Sequence, residues 1–271
     1  MKQLYFLGPK GTYSEDAANK INEYLKEYNP KTVSTISKIV DLVNKNDDCI
    51  GIIPIENSID GIVRPSIDNI YATDVKIQAQ LEVEINHCLI SKNNNIKNIK
   101  HIISHPQALA QCQKFILNNF DENIDLISAD STASSGYALL DYDESYGAIV
   151  SKKLAESMGL FILDKNISDN KDNKTRFVLI SKFDINLGKK TRTSFVFNTK
   201  NEPGALLKIL DIINKYNLNL IYLESRPSKK VFGEYNFFAD IDKGIDEINN
   251  VLDRIKQECN FYKLLGSYVE L

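Results

Sequence analysis

Cys49–Ile55 reads CIGIIPI, seven residues without one polar side chain. A run this short and this apolar reads as a strand buried on both faces, which requires a sheet covered by helices on both sides. The flanking sequence fits that demand. QLYFLG leads into TYSEDAANKINEYL, where Ala17, Ala18, Ile21 and Leu25 fall on one helical face. HIISHPQALAQCQKFIL, IDLISADSTASSGYALL and YGAIVSKKLAESMGLFIL each read as strand, turn and helix. KIQAQLEVEINHCLI differs, because Ile77, Ala79, Leu81, Val83 and Ile85 alternate with Gln78, Gln80, Glu82, Glu84 and Asn86. That alternation predicts a strand with one wet face, placed where the chain crosses between two lobes. The expected lobes are 1–77 with 160–183, and 78–159.

The rhythm changes at 184–192 (INLGKKTRT), a basic, Gly-containing linker. After it come strand SFVFNT, helix GALLKILDIINKY, strands LNLIYLESRP and EYNFFADI, helix IDEINNVLDRIKQE and strand YKLLGSYVEL. This βαββαβ order predicts a ferredoxin-like domain over 193–271. A length of 271 residues agrees with two domains. The net charge of −3, with no long basic block, gives nucleic acid no electrostatic footprint. No apolar run approaches a bilayer span, and LYFLG is too short for a signal-peptide core, so a cytoplasmic protein is expected. Cys49, Cys88, Cys112 and Cys259 lie far apart without a histidine cluster, which argues against disulfides and against a metal site.

Polar turns follow the predicted strands: GPKGTYS, PIENSIDG, SHPQ and DSTASS. Each opens a helix, and helix N-termini attract anions. Ligands of open α/β sheets gather at such strand ends, so converging turns would suit a small polyanion. Taken singly, each turn reads equally as a helix cap. His105 before Pro106 is as readily a cap as a base; His87 and His101 read as surface or strand-end residues. Glu56 is either a buried acid or a partner of Asn57 and Ser58. No GxGxxG, GxSxG or P-loop is present.

In order and spacing, GPKGTYSEDAA (8–18), PIENSIDGIV (54–63), SHPQALAQC (104–112), DSTASS (130–135) and DNKTRF (172–177) resemble the motifs of the prephenate dehydratases. NEPGALL (201–207) and ESRP (224–227) resemble the phenylalanine-sensing ACT domain that follows them in that family. After STA the family continues with small apolar residues, whereas Ser134, Ser135 and Gly136 stand here. Only one strand precedes the first motif, so the fused chorismate mutase module of some relatives is not expected.

The resemblance implies a two-lobed, periplasmic-binding-protein-like α/β catalytic domain over 1–183 with its site between the lobes. It implies decarboxylating dehydration of prephenate to phenylpyruvate without metal or organic cofactor. Thr175 would stabilise or protonate the departing hydroxyl, because a neutral donor does not repel a dianion as a carboxylate would. Arg176 would grip a substrate carboxylate or hold the turn. Asn57, Ser58, Gln107 and Thr132 carry over into the cleft, with Glu56 as a bounding acid and backbone N–H groups at Ser104–His105 and Ser131–Thr132 for carboxylates. Phe177 packs at the strand start or walls the ring. For the ACT domain the resemblance implies L-phenylalanine bound by Asn201, Pro203, Gly204, Ala205, Leu206 and Leu207. Glu224, Ser225 and Arg226 would come from a partner copy, hence a homodimer or homotetramer. The competing readings are an arogenate dehydratase and a non-catalytic amino-acid sensor on the same fold.

Overall fold

The structure, a computed structural model, describes residues 2–228 and 234–271. The chain opens with β1 (Gln3–Leu7), α1 (Tyr13–Leu25), β2 (Asn29–Val33), α2 (Ile36–Lys45), β3 (Ile50–Asn57), β4 (Gly61–Ile62), α3 (Arg64–Ala72) and β5 (Lys76–Glu84). It crosses into β6 (His87–Ser91), β7 (His101–Ser104), α4 (Pro106–Gln111), α5 (Gln113–Asn119), β8 (Asp125–Ser128), α6 (Thr132–Ala138), β9 (Tyr146–Ser151), α7 (Lys152–Ser157) and β10 (Phe161–Lys165). β11 (Lys174–Ser181) returns to the first lobe. The remainder is β12 (Arg192–Asn198), α8 (Ala205–Lys215), β13 (Leu220–Pro227), β14 (Tyr235–Ile241), α9 (Ile245–Glu258) and β15 (Phe261–Glu270).

The apolar run CIGIIPI lies in β3 from Ile50 on, hydrogen-bonded between β1 and β11 with Ile50, Ile52 and Ile53 fully buried. Its Gly51 has a packing reason. A Cβ there would stand 2.7 Å from Ile39 Cγ2, so α2 lies directly on the strand. The second lobe is a separate sheet in the order β10-β6-β9-β7-β8. β5 pairs along its length with β11 and belongs to the first lobe, whereas β10 pairs with β6 and belongs to the second. The crossings therefore lie at 85–86 and 166–173, and not at 77/78 and 159/160 as expected when the alternating strand was read as the crossover.

The C-terminal strands are ordered β13-β14-β12-β15, and β15 continues into the first lobe by pairing parallel with β5 (Val269 with Ala79, Glu270 with Gln80). One sheet of ten strands thus runs through both parts. This overturns the expected wet face of β5. Gln78 and Gln80 are 5% and 4% exposed, while Glu82 and Glu84 stay in water. The covered amides are used: Gln78 Oε1 accepts from the Ile185 N–H, and Gln80 Oε1 accepts from Arg176 and Arg192. Gly266 permits the seam, since a Cβ there would meet the Ile77 carbonyl oxygen at 2.3 Å. The segment 184–192 is no free linker either: Ile185 and Leu187 pack against the first-lobe core.

Helices α8 and α9 cover the C-terminal sheet through Ile209, Ile213, Ile248, Leu252 and Ile255, each spaced as one helical face. All four cysteines are free, with Cys49, Cys88 and Cys112 buried. No metal-binding cluster occurs among the described residues, and no described helix is long and apolar enough to cross a membrane.

Candidate active site

A cavity of about 820 Å³ lies between the lobes. The first lobe contributes Asn57, Thr175 and Phe177; the second contributes His105, Gln107, Gln111, Ser131 and Thr132. Four helix starts open on it: Thr12–Tyr13 of α1, Ser34–Ile36 of α2, His105–Gln107 at α4 and Asp130–Thr132 at α6. No lysine or arginine is among the described residues lining it. Attraction for an anion would have to come from the backbone N–H groups and dipoles at these helix starts, against the lining carboxylate of Asp130.

Strand alternation decides which parts of DNKTRF face the cavity. Thr175 and Phe177 point into it, and Arg176 points to the opposite face of the sheet. There its guanidinium meets Glu56 Oε2 at 2.9 Å, Asp240 Oδ2 at 3.1 Å and Gln80 Oε1 at 3.1 Å. Burial disfavours this cation, yet Tyr268, Asp240 and Glu56 together raise its pKa above the ordinary value. Arg176 therefore does not grip a ligand carboxylate, and Glu56 does not bound the cleft. The two form a bridge with the C-terminal domain. Two further expected residues are structural. Ser104 is fully buried, its hydroxyl donating to the Ile149 carbonyl at 2.7 Å. Ser58 closes the strand end, accepting from the Lys174 N–H at 3.0 Å while its own N–H donates to the Lys174 carbonyl.

At the cavity floor, Asn57 is locked in one orientation. Its Oδ1 accepts from the N–H groups of Ile59 and Asp60, each at 3.0 Å, so its amide nitrogen must face Thr175 Oγ1 at 3.0 Å. With that oxygen already accepting, the Thr175 proton is available to a ligand. His105 acts as a cap: Nδ1 accepts from the Gln107 N–H at 3.3 Å. Ser131 caps α6 reciprocally with Ser134, which accounts for one departure from the family pattern. Gly136 accounts for another, because a Cβ there would press on Val150, Leu154 and Met158 at 3.0–3.1 Å.

Sequence reading missed Gln111, Asn173 and Asp60. Gln111 Nε2 and Gln107 Nε2 both donate to Asp60, the former at 2.8 Å, tying the second lobe to the turn after β3. Gln111 could have been found, being one helical turn beyond Gln107. Asn173 shares strand parity with Thr175 and donates to Gln111 Oε1 at 3.0 Å. His87, expected at the surface or at a strand end, begins β6 and is 2% exposed at the lobe junction. His101 is at a strand end as expected, paired with Asp125 at 3.0 Å and stacked on Tyr146.

The chain matches the prephenate dehydratase family over residues 4–184. It belongs to that family. A prephenate dehydratase of Methanocaldococcus jannaschii is 39% identical over 98% of each chain. A bifunctional chorismate mutase/prephenate dehydratase of Aquifex aeolicus is 37% identical over 98% of this chain and 73% of its own. Among solved structures, the prephenate dehydratase of Arthrobacter aurescens in complex with L-Phe superposes with a TM-score of 0.87 at 29% identity, covering 99% of this chain and 90% of that one.

A second cavity, about 390 Å³, opens at the start of α8. It is lined by Asn201 and Gly204–Leu207, with Gly204 in the left-handed region at φ 80°. Glu224, Ser225 and Arg226 lie on β13 and do not line it. Arg226 instead donates to Asp68 of α3 at 2.6 Å and to Glu224 at 3.1 Å.

Proposed function

We infer that the cleft binds prephenate and converts it to phenylpyruvate, carbon dioxide and water, with Thr175 as hydrogen-bond donor to the departing hydroxyl. The observation that supports this is the Asn57–Thr175 contact: the threonine oxygen accepts from the amide and keeps its proton for a ligand at the floor of the cleft. The electron pair of the ring–carboxylate bond enters the ring as carbon dioxide leaves, and the ring hydroxyl departs from the opposite carbon. One proton completes water at that oxygen, so the dianion plus a proton gives the monoanionic keto acid, carbon dioxide and water. Aromatisation supplies the driving force; the residues supply orientation and charge stabilisation. The helix starts at His105–Gln107 and Ser131–Thr132 suit the two carboxylates, and Phe177 gives the ring an apolar wall. The reading assigns no metal or organic cofactor to these steps.

Mixing the protein with prephenate and following phenylpyruvate absorbance tests this. Thr175→Ala should lower kcat by roughly 10²–10³, or about 2.7–4 kcal/mol, as for one well-aimed donor. Turnover near the parent rate in that variant would reassign the donor. Preferential turnover of arogenate would replace the substrate, and no product from either compound would favour a sensor.

The C-terminal βαββαβ unit reads as an ACT domain that senses L-phenylalanine. The α8 cavity has the size and helix start for an amino-acid carboxylate, and the Arthrobacter relative is a complex with L-Phe. β13 is an edge strand with Ile221 and Leu223 exposed, which suits pairing with a second copy in a homodimer or a larger even oligomer. Light scattering with and without phenylalanine checks the assembly.

A further inference from the structure

The Thr175 hydroxyl ends a line of side chains whose hydrogen bonds can run in only one direction. Asn57, locked by the N–H groups of Ile59 and Asp60, shares its two amide hydrogens among Asn173 Oδ1 at 2.8 Å, Thr175 Oγ1 at 3.0 Å and the Lys174 carbonyl at 3.1 Å. Asn173 must then turn its nitrogen to Gln111 Oε1, 3.0 Å away. The Gln111 nitrogen is held on the Asp60 carboxylate at 2.8 Å, which fixes Oε1 as an acceptor. His87 Nε2 stands 3.2 Å from that oxygen and must carry the hydrogen. In the neutral ring Nδ1 is then an acceptor, and it faces the Tyr13 hydroxyl at 3.3 Å. The single hydrogen of that hydroxyl is shared with the Asn86 carbonyl, the nearer acceptor at 2.8 Å.

These groups come from every part of the lobe junction. Tyr13 and Asn57 belong to the first lobe, Gln111 to the second, His87 stands just past the outgoing crossing and Asn173 ends the return. We propose that His87 is a positioning residue for the reaction. As its Nε2–H tautomer it holds the Gln111 amide of the second lobe where Asn173 and Asp60 meet it, and so keeps the second-lobe wall of the cleft in register with Asn57 and Thr175. The proposal rests on Thr175 being the donor to prephenate.

The parent protein, His87→Leu and His87→Gln are compared, because a glutamine amide can restore the N–H donor and leucine cannot. With folding confirmed by circular dichroism, His87→Leu should lose about tenfold to a hundredfold in kcat, as expected of a misplaced catalytic group. Its KM for prephenate should stay near the parent value, and His87→Gln should recover most of the rate. Leucine and glutamine variants equally impaired, or a leucine variant at the parent rate, would overturn the proposal. A parent protein without prephenate turnover would instead count against the substrate reading. The second measurement is independent of turnover: ¹⁵N spectra of the imidazoles near neutral pH should show His87 protonated at Nε2 and bare at Nδ1. The opposite tautomer would overturn the assignment.

Discussion

Replacing Arg176 by methionine should destabilise the fold far more than it harms prephenate binding. The guanidinium lies 3.1 Å from Asp240, and both side chains are about nine-tenths buried. At an effective dielectric near 20, such a pair attracts by roughly 5 kcal/mol before desolvation is counted. Arg176→Met removes the cation and strands the Asp240 carboxylate among buried residues, including Tyr268 beside it, at a cost of about 3–5 kcal/mol. Asp240→Leu should cost less, about 1–3 kcal/mol, because Arg176 keeps Glu56 and Gln80. The double variant leaves no unpaired charge at this contact; Glu56, 38% exposed, remains in reach of water. It should return to within roughly 1 kcal/mol of the parent. Urea unfolding followed by circular dichroism gives the four free energies, and the double-mutant cycle isolates the coupling. Costs that simply add, or an Arg176→Met loss below about 1 kcal/mol, would refute the buried bridge. Kinetics completes the test. The stable double variant should retain the parent KM, whereas a KM raised about tenfold would return Arg176 to the substrate.

Leu207→Asp and Ser225→Arg should abolish the response to phenylalanine while basal turnover persists, measured as inhibition curves; unchanged inhibition in both would move the effector site. Gly266→Ala should force the seam between β15 and β5 apart at the Ile77 carbonyl, costing about 1–3 kcal/mol or more in urea unfolding. For His87, burial lowers the pKa from 6.5, with the Gln111 hydrogen bond opposing. Below pH 6.5 the unfolded chain therefore binds more protons at this site than the folded one, and its contribution to stability is lost as pH falls through the depressed value. Unfolding midpoints from pH 7 down to pH 5 should fall less steeply in His87→Gln.

Much of the fold was written locally. The apolar run at 49–55 could be stable only between two helical layers, and the stripes of α8 and α9 and the βαββαβ order followed from periodicity alone. The site was legible where a turn chemistry repeats: Asn57, His105, Gln107, Ser131, Thr132 and Thr175 all reach the one cavity. Local pattern fails where a distant segment changes the solvent. Gln78 and Gln80 alternate as a wet face should, yet Ile185, Arg176 and Arg192, about a hundred residues away, take up their side chains. Glu56 and Arg176 look like site residues beside Asn57 and Thr175, yet strand parity turns them to the other face, where Asp240 waits on β14. His87 is polar by parity and buried by the meeting of two lobes. The sequence by itself determined the elements and the buried strand, because these depend on neighbours within a few residues. Only the tertiary structure decided which polar groups are charged partners, which are buried, and which line the cleft, because burial and pairing depend on what the rest of the chain brings against them.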